Sequence, residues 1–203
     1  MSSAAQPFWS SLRPVFQAAT VGVAGLGGLG SHVALSLARS DVGKLVLVDF
    51  DRVDESNLNR QQYTTGDVGR RKTDALRDHI VEAAPGVRVV THAERVTDKN
   101  VERLFVGCDV VVEAFDQVSS KAMILQAFGR EPLRRVPLVM GSGVAGIAAA
   151  SGIVTRRLTG NVYTCGDGVS TVGEGVALLA PRVMIVAGHQ ALQVLRVLAA
   201  GTG

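Results

Sequence analysis

Residues 20–30 read Thr20-Val-Gly-Val-Ala-Gly-Leu-Gly-Gly-Leu-Gly30, and this stretch indicates the fold class. Its first five residues form an apolar run with the length of a strand that is buried on both faces. A Gly-x-Gly-x-x-Gly turn follows at once and leads into a helical pattern over 29–39. A strand, such a turn and a helix in this order are typical of the phosphate-binding turn of doubly wound α/β folds.

Three glycines of this turn each have a physical reason. Gly25 permits the tight turn, Gly27 lets the backbone approach a phosphate, and Gly30 lets the helix pack close to the strand. A bound phosphate would then lie at the positive N-terminus of the helix. A tight turn with a purely structural purpose is the alternative interpretation.

Val-rich apolar runs alternate with helical patterns along the chain. The runs cover 20–24, 44–48, 87–91, 109–113 and 137–140, and the helical patterns cover 29–39, 72–84, 101–106 and 119–130, the last with Ser119 as its cap. A further strand is predicted at 153–157, inside a glycine-rich stretch. The predicted fold class is therefore α/β: a Rossmann-like, mostly parallel sheet with helices on both faces and a short glycine-rich C-terminal extension of the sheet, in one domain over 1–203.

Composition narrows the classes of function. The chain has 203 residues, is 47% hydrophobic and carries a formal net charge of +3, which is too small and too scattered to indicate a nucleic-acid partner. Its two cysteines, Cys108 and Cys165, form no Cys-x-x-Cys pair, so we expect no zinc. The N-terminus lacks the pattern of a secretory signal, which favours a cytoplasmic location. Polar residues interrupt the apolar stretch 183–200, which is predicted to be a buried helix rather than a membrane span.

Polar residues that suit a nucleotide follow the second predicted strand. Asp49 ends that strand, where a carboxylate can accept hydrogen bonds from both ribose hydroxyls. In the long polar stretch beyond it, Arg60 offers a planar fork for phosphate oxygens, and Lys72 a compact charge near a helix N-terminus. Asn57 and Gln61 can hydrogen-bond phosphate without adding charge. Asp51 and Asp54 are interpreted as carboxylates that order the loop, and a solvated charged face is the alternative for Arg60 and Lys72.

These motifs closely resemble the signature of a known family. The chain carries Gly-x-Gly-Gly-Leu-Gly at 25–30, Asp-x-Asp-x-Val-x-x-Ser-Asn-Leu-x-Arg-Gln at 49–61 and Gly-x-x-Lys at 69–72. This set is similar to that of ThiF, MoeB and the adenylation domain of ubiquitin-activating enzymes. The resemblance runs from about residue 20 to 196, and the last part is similar to the short ThiF group.

The resemblance implies an ATP-dependent adenylyltransferase that activates the C-terminal glycine carboxylate of a ubiquitin-like sulfur-carrier protein. A ThiS-like carrier would place the reaction in thiamine thiazole biosynthesis. In the implied ATP site, the phosphate-binding turn consists of Gly25, Gly27, Gly28 and Gly30. Asp49 would bind the ribose. The triphosphate would be bound by Asn57, Arg60, Gln61 and Lys72. Arg60, Lys72 and a magnesium ion near Asp116 would neutralise charge during the reaction.

Several expectations depend on weaker signals. Asp116 also fits a simple cap for the following helix, and Gln117 stands where the family usually has Asn. Arg13 is the available arginine that could reach a partner subunit's nucleotide. The carrier's tail is expected along the glycine-rich residues 141–146. A homodimer is predicted because the helix over 183–198 is apolar on nearly every face, and ThiF relatives pair.

Alternatives of other classes remain open. An NAD-dependent reductase would need a hydride site, and no Tyr-x-x-x-Lys pair surrounds Tyr63 or Tyr163. A docking module without chemistry would not need Arg60, Lys72 and Asp116 together. Within the family, activation of another carrier or of an RNA base is an alternative. Cys165, next to a glycine, is either a thiol that takes the activated carrier covalently or a buried packing residue.

Overall fold

The computed structural model describes residues 5–201, with side chains from residue 9 onward. Its strands are Thr20–Ala24 (β1), Lys44–Val48 (β2), Arg88–His92 (β3), Val110–Glu113 (β4), Leu138–Gly141 (β5), Val154–Thr159 (β6) and Val162–Gly166 (β7). Its helices are Ala5–Ala18 (α1), Gly28–Arg39 (α2), Lys72–Ala83 (α3), Val101–Phe105 (α4), Val118–Ala127 (α5) and Ala180–Ala200 (α6).

The strands form one sheet in the order β3-β2-β1-β4-β5-β7-β6. All neighbouring pairs are parallel except β6 and β7, which form an antiparallel hairpin at one edge. The strand order reverses direction between β1 and β4, so the crevice for ligands of such folds lies there, at the carboxyl ends of the strands. The Rossmann-like fold class predicted from the sequence is confirmed.

Helices cover both faces of this sheet. One core cluster joins the sheet to α1, α2, α3 and α6, and a second joins it to α4 and α5. Helix α6 has the length and hydropathy that a membrane-spanning helix needs. One of its sides is nevertheless buried against α2 and the sheet, where the side chain of Gln190 donates a hydrogen bond to the Glu113 carbonyl oxygen at 3.0 Å. This packing agrees with the core helix that the sequence predicts.

The structure differs from the sequence prediction at three elements. Helix α1 was not predicted because Pro14 interrupts the helical pattern, yet Phe16 at its end is buried in the core. Strand β7, which lies between two glycines of the glycine-rich stretch, was not predicted, and it pairs with both β5 and β6. The prediction that Ser119 caps α5 is wrong: Gln117 is the N-cap, and its side chain makes no capping bond.

Candidate active site

The glycine turn lies between β1 and α2, and its glycines serve different purposes. Gly25 has a φ of 90°, and a Cβ there would lie 2.8 Å from the carbonyl oxygen of Ala114. A Cβ on Gly30 would overlap the carbonyl oxygen of Gly25. A Cβ on Gly27, by contrast, would meet only the Gln61 side chain, at an ordinary distance of 3.7 Å. The fold therefore requires glycine at 25 and 30, whereas a Cβ on Gly27 would clash with nothing.

The turn is held by the segment that follows β2. The buried Asp49 carboxylate accepts hydrogen bonds from the backbone amides of Leu26 at 2.6 Å and Asp51 at 2.7 Å. The Tyr63 hydroxyl donates to the Leu26 carbonyl oxygen at 2.8 Å. Burial raises the pKa of Asp49, and the charge of Lys72 opposes that rise. Both polar groups of the Leu26 backbone are thus fixed, which makes the turn rigid.

The long polar segment between β2 and α3 is ordered by its own carboxylates. Asp54 accepts from the backbone amide of Ser56 at 2.9 Å and caps a short 3₁₀ helix over Glu55–Asn57. Asp51 lies 3.1 Å from the ammonium nitrogen of Lys72, whose buried side chain begins α3. The loop-ordering role that the sequence predicts for these two carboxylates agrees with these contacts.

The predicted triphosphate-binding residues of this segment lie beside the glycine turn. Gln61 donates to the Asn57 side chain at 2.7 Å, and its own Oε1 is buried with no hydrogen-bond partner among the described residues. A Cβ on Gly28 would lie 3.6 Å from the Arg60 carbonyl oxygen. The Arg60 guanidinium contacts the Asn59 side chain at 2.9 Å and stays partly exposed. Polar groups with unused bonding capacity therefore surround the opening above Gly27.

Asp116 lies just beyond the carboxyl end of β4, and the two residues between them, Ala114 and Phe115, lie against the glycine turn at Gly25. Its side chain is exposed and makes no hydrogen bond or ion pair within the described part of the chain. The cap role considered for Asp116 is not what the structure shows, because Gln117 is the N-cap of α5. Asp116 is therefore a free carboxylate at the crevice between β1 and β4.

Sequence reasoning missed a buried ion pair beside this site. The Glu113 side chain is fully buried, and Lys121 in α5 lies 2.8 Å from its Oε1 and 2.9 Å from its Oε2. Burial raises the pKa of Glu113, and the Lys121 ammonium opposes the rise. A glutamate that ends a run of three valines was the available signal, because a charge in a buried strand needs a partner.

Cys165 and Arg13 lie outside this constellation. Cys165 is fully buried in β7, and burial raises the pKa of its thiol to about 11. Its Sγ lies 3.5 Å from the Thr155 hydroxyl. Arg13 pairs with Asp41 at 2.7 Å, beyond the C-terminal end of α2 and so at the opposite end of that helix from the glycine turn. The geometry favours the packing interpretation of Cys165.

The glycine-rich residues 141–179 are tied down by a second buried pair. Arg182 at the start of α6 donates to the Ala148 carbonyl oxygen at 2.7 Å and contacts the Asp167 carboxylate. Burial raises the pKa of Asp167, but hydrogen bonds from Ser170, Val169 and Arg182 outweigh it and lower the pKa to about 2.

The fold and the site define a Rossmann-like α/β domain with a rigid glycine turn at its ligand crevice. The chain belongs to the ThiF family, whose model matches residues 8–202. Among curated proteins, it is 29% identical over 189 residues to the adenylyltransferase and sulfurtransferase MOCS3 of Drosophila willistoni, covering 89% of this chain and 40% of that protein. It is 40% identical over 125 residues to the probable adenylyltransferase/sulfurtransferase MoeZ of Mycobacterium tuberculosis, covering 61% of this chain and 31% of MoeZ.

A third relative has a different substrate in its name. The chain is 37% identical over 129 residues to the tRNA threonylcarbamoyladenosine dehydratase of Bacillus subtilis, covering 62% of this chain and 49% of that protein. The chain thus spans less than half the length of these three curated relatives.

Solved structures agree on the fold. The Escherichia coli dehydratase TcdA in complex with ATP superposes with a TM-score of 0.87 at 24% identity, covering 98% of this chain and 93% of TcdA. MccB of Escherichia coli with ATP gives a TM-score of 0.72 at 19% identity, covering 96% of this chain and 59% of MccB.

Proposed function

We propose that this chain is an ATP-dependent adenylyltransferase that activates the C-terminal glycine carboxylate of a ubiquitin-like sulfur-carrier protein. The observation that carries this proposal is the opening above Gly27. A Cβ at Gly27 would clash with nothing and meet only the Gln61 side chain, and no side chain caps the N-terminus of α2. Uncapped backbone amides at a helix N-terminus suit a phosphate group.

The residues around this opening fit ATP with magnesium. Arg60 and Lys72 would supply positive charge, and Asp49 would bind the ribose. Asp116 would hold the magnesium ion, which neutralises phosphate charge when bound. No group of three or more His, Cys, Asp or Glu residues within 5–201 is placed to hold a metal. A single carboxylate agrees with magnesium, which commonly takes one or two carboxylates and completes its shell with phosphates and water.

The adenylation reaction requires the protein to position the carrier's carboxylate and ATP, and it requires no covalent bond to the protein. A carboxylate oxygen of the carrier attacks the α-phosphorus of ATP, the bond to the bridging oxygen breaks, and pyrophosphate leaves with that electron pair. Arg60 and Lys72 stabilise the charge that develops on the leaving group. The carrier's tail would lie along residues 141–146, beside Asp116. A ThiS-like carrier, and with it thiamine biosynthesis, is the substrate that the sequence favours.

A second candidate is a carboxylate carried on RNA. The identity with the Bacillus subtilis dehydratase supports it, because the threonylcarbamoyl group named there bears the carboxylate of threonine. The same site would activate it by the same attack on the α-phosphorus. The two candidates differ in the partner that presents the carboxylate.

Exchange of labelled pyrophosphate into ATP tests both candidates. The purified protein is assayed with a ThiS-like carrier, with a panel of other ubiquitin-like carriers that end in Gly-Gly, and with tRNA containing threonylcarbamoyladenosine. We expect exchange with a ThiS-like carrier and a drop of roughly 10²–10³ for each of R60A, K72A and D116A. R103A removes an exposed arginine that pairs with Glu94 and should leave exchange unchanged. C165S should also retain it.

Pyrophosphate exchange that occurs with the modified tRNA and with none of the carriers would favour the second candidate over the first. Hydride transfer with a nicotinamide cofactor, in the absence of any exchange, would falsify adenylation altogether.

A further inference from the structure

Lys121 occupies an unusual position between two strand ends. Its ammonium nitrogen lies 2.8 and 2.9 Å from the two carboxylate oxygens of Glu113, the last residue of β4. It also donates to the carbonyl oxygen of Gly141, the last residue of β5, at 2.9 Å. The last register pair of β4 and β5 is Glu113 with Met140, so Lys121 joins the strands where their pairing stops.

Both strand ends lie against the candidate site. The residues after Glu113 touch the glycine turn at Gly25 and lead to Asp116. A Cβ on Gly141 would overlap the side chain of Leu29 in the first turn of α2. Beyond Gly141 the chain enters residues 142–146, where the acyl substrate is proposed to lie. Lys121 therefore connects the turn that carries Asp116 to residues 142–146, where the acyl substrate is proposed to lie.

Lys121 has no hydrogen-bond donor left for a substrate. An ammonium group has three protons, and three acceptors surround this one. A direct catalytic contact is thereby excluded for the observed geometry. Stability alone also explains the pair poorly, because a buried ion pair contributes little net stability compared with an apolar pair of similar volume.

We propose that Lys121 is a positioning residue that fixes the spacing between the Asp116 turn and residues 142–146. This inference rests on the proposed function for its catalytic consequence, and on the bonds to Glu113 and Gly141 for its structural part. Without Lys121, the end of β5 loses the side-chain bond at Gly141 that joins it to the Glu113 carboxylate, whereas Gln190 still bonds the carbonyl oxygens of Glu113 and Val139. The acyl substrate then binds to a less ordered segment, whereas the glycine turn keeps its anchors at Asp49 and Tyr63.

The experiment compares three variants with the wild type. K121M removes the ammonium and keeps the length of the side chain. E113Q/K121M removes both charges, so it avoids an unpaired buried carboxylate. E113Q is the matched control, because it retains the bond from Lys121 to Gly141. Hydrogen exchange of the amides over 142–146 is measured in the apo protein, and ATP affinity is measured by calorimetry without an acyl substrate.

We expect exchange over 142–146 to accelerate about tenfold or more in K121M and in the double variant, the scale for losing one charge-assisted hydrogen bond. E113Q should stay close to the wild type. In the pyrophosphate assay with a Gly-Gly carrier, KM for the carrier should rise about tenfold while ATP affinity changes less than about twofold.

Unchanged hydrogen exchange in the folded double variant would overturn the inference, as would equal losses of carrier and ATP binding. A wild type without pyrophosphate exchange would instead count against the proposed function. The hydrogen-exchange comparison would still decide the role of Lys121 in that case.

Discussion

Because the Glu113 carboxylate is fully buried, its pairing with Lys121 affects how the free energy of unfolding depends on pH. In K121M the Glu113 carboxylate loses its cation, and burial then raises its pKa further, opposed only by the backbone amides of Phe115 and Gly141. A group whose pKa is higher in the folded than in the unfolded protein stabilises the fold below its unfolded pKa. That stabilisation is lost as the pH rises through the folded pKa.

We therefore predict that K121M is more stable near about pH 5 than near about pH 8, since the unfolded pKa of Glu is about 4.3. At neutral pH, the loss relative to the wild type should be about 3 kcal/mol, the lower range for breaking a buried pair. Urea unfolding across this pH range measures it. E113Q/K121M has no carboxylate to titrate, so its pH dependence should match the wild type more closely, and a K121M profile that is flat would contradict the argument.

At the scale of elements, the glycine turn offers a contrast between two substitutions. Gly27 has a negative φ of −77°, and a Cβ there meets only the Gln61 side chain, at 3.7 Å. G27A should therefore fold with a melting temperature near that of the wild type. The new methyl group would occupy the opening where a phosphate approaches, so ATP affinity should fall at least about tenfold, the equivalent of one lost contact.

G30A should behave in the opposite manner. Its Cβ would overlap the Gly25 carbonyl oxygen, which is backbone and cannot move without displacing β1 from α2. We expect a loss of about 3 kcal/mol or more in the free energy of unfolding, at the upper end of overpacking effects. Thermal melts and calorimetric ATP titrations of both variants are the measurements. A destabilised G27A, or a G27A that binds ATP as the wild type does, would show that Gly27 serves the fold.

The same turn shows which features a sequence can predict. A strand, a glycine pattern and a helix are local in sequence, so β1 and α2 could be predicted within a residue or two of their bounds. Strand β7 was missed although Val162, Tyr163 and Thr164 favour a strand, because the run is short and bounded by glycines, and its pairing with β5 and β6 fixes it. The contact between Lys121 and Gly141 joins residues that are 20 positions apart, and no local pattern announces it.

At the scale of the whole molecule, helix α6 and its neighbours expose an apolar surface that no other part of the described chain covers. The exposed side of α6 carries Met184, Ile185 and Leu192, which are 51%, 38% and 59% exposed. Ile147 and Leu179 lie beside it and, with Pro181 and Ile185, line a pocket of about 230 Å³. One side of the helix is already buried against α2 within the chain, so only its exposed apolar side is left to be covered. Exposed apolar surface of this kind marks an interaction site.

We propose that a second copy of the chain covers this surface, and we predict a homodimer at micromolar concentration. Burial of the α6 side chains and of Ile147 would supply the driving force, at about 25 cal/mol per Å² of apolar area. Sedimentation equilibrium of the wild type should give twice the mass of one chain.

M184E/L192E places two charges in the interface and should shift the mass to that of one chain with the fold retained. V106E is the matched control, because Val106 is 52% exposed at the end of α4, on the other face of the sheet, and it should remain dimeric. A wild type that sediments as one chain would leave this surface to a different partner, whereas a dimer that M184E/L192E does not affect would place the interface elsewhere.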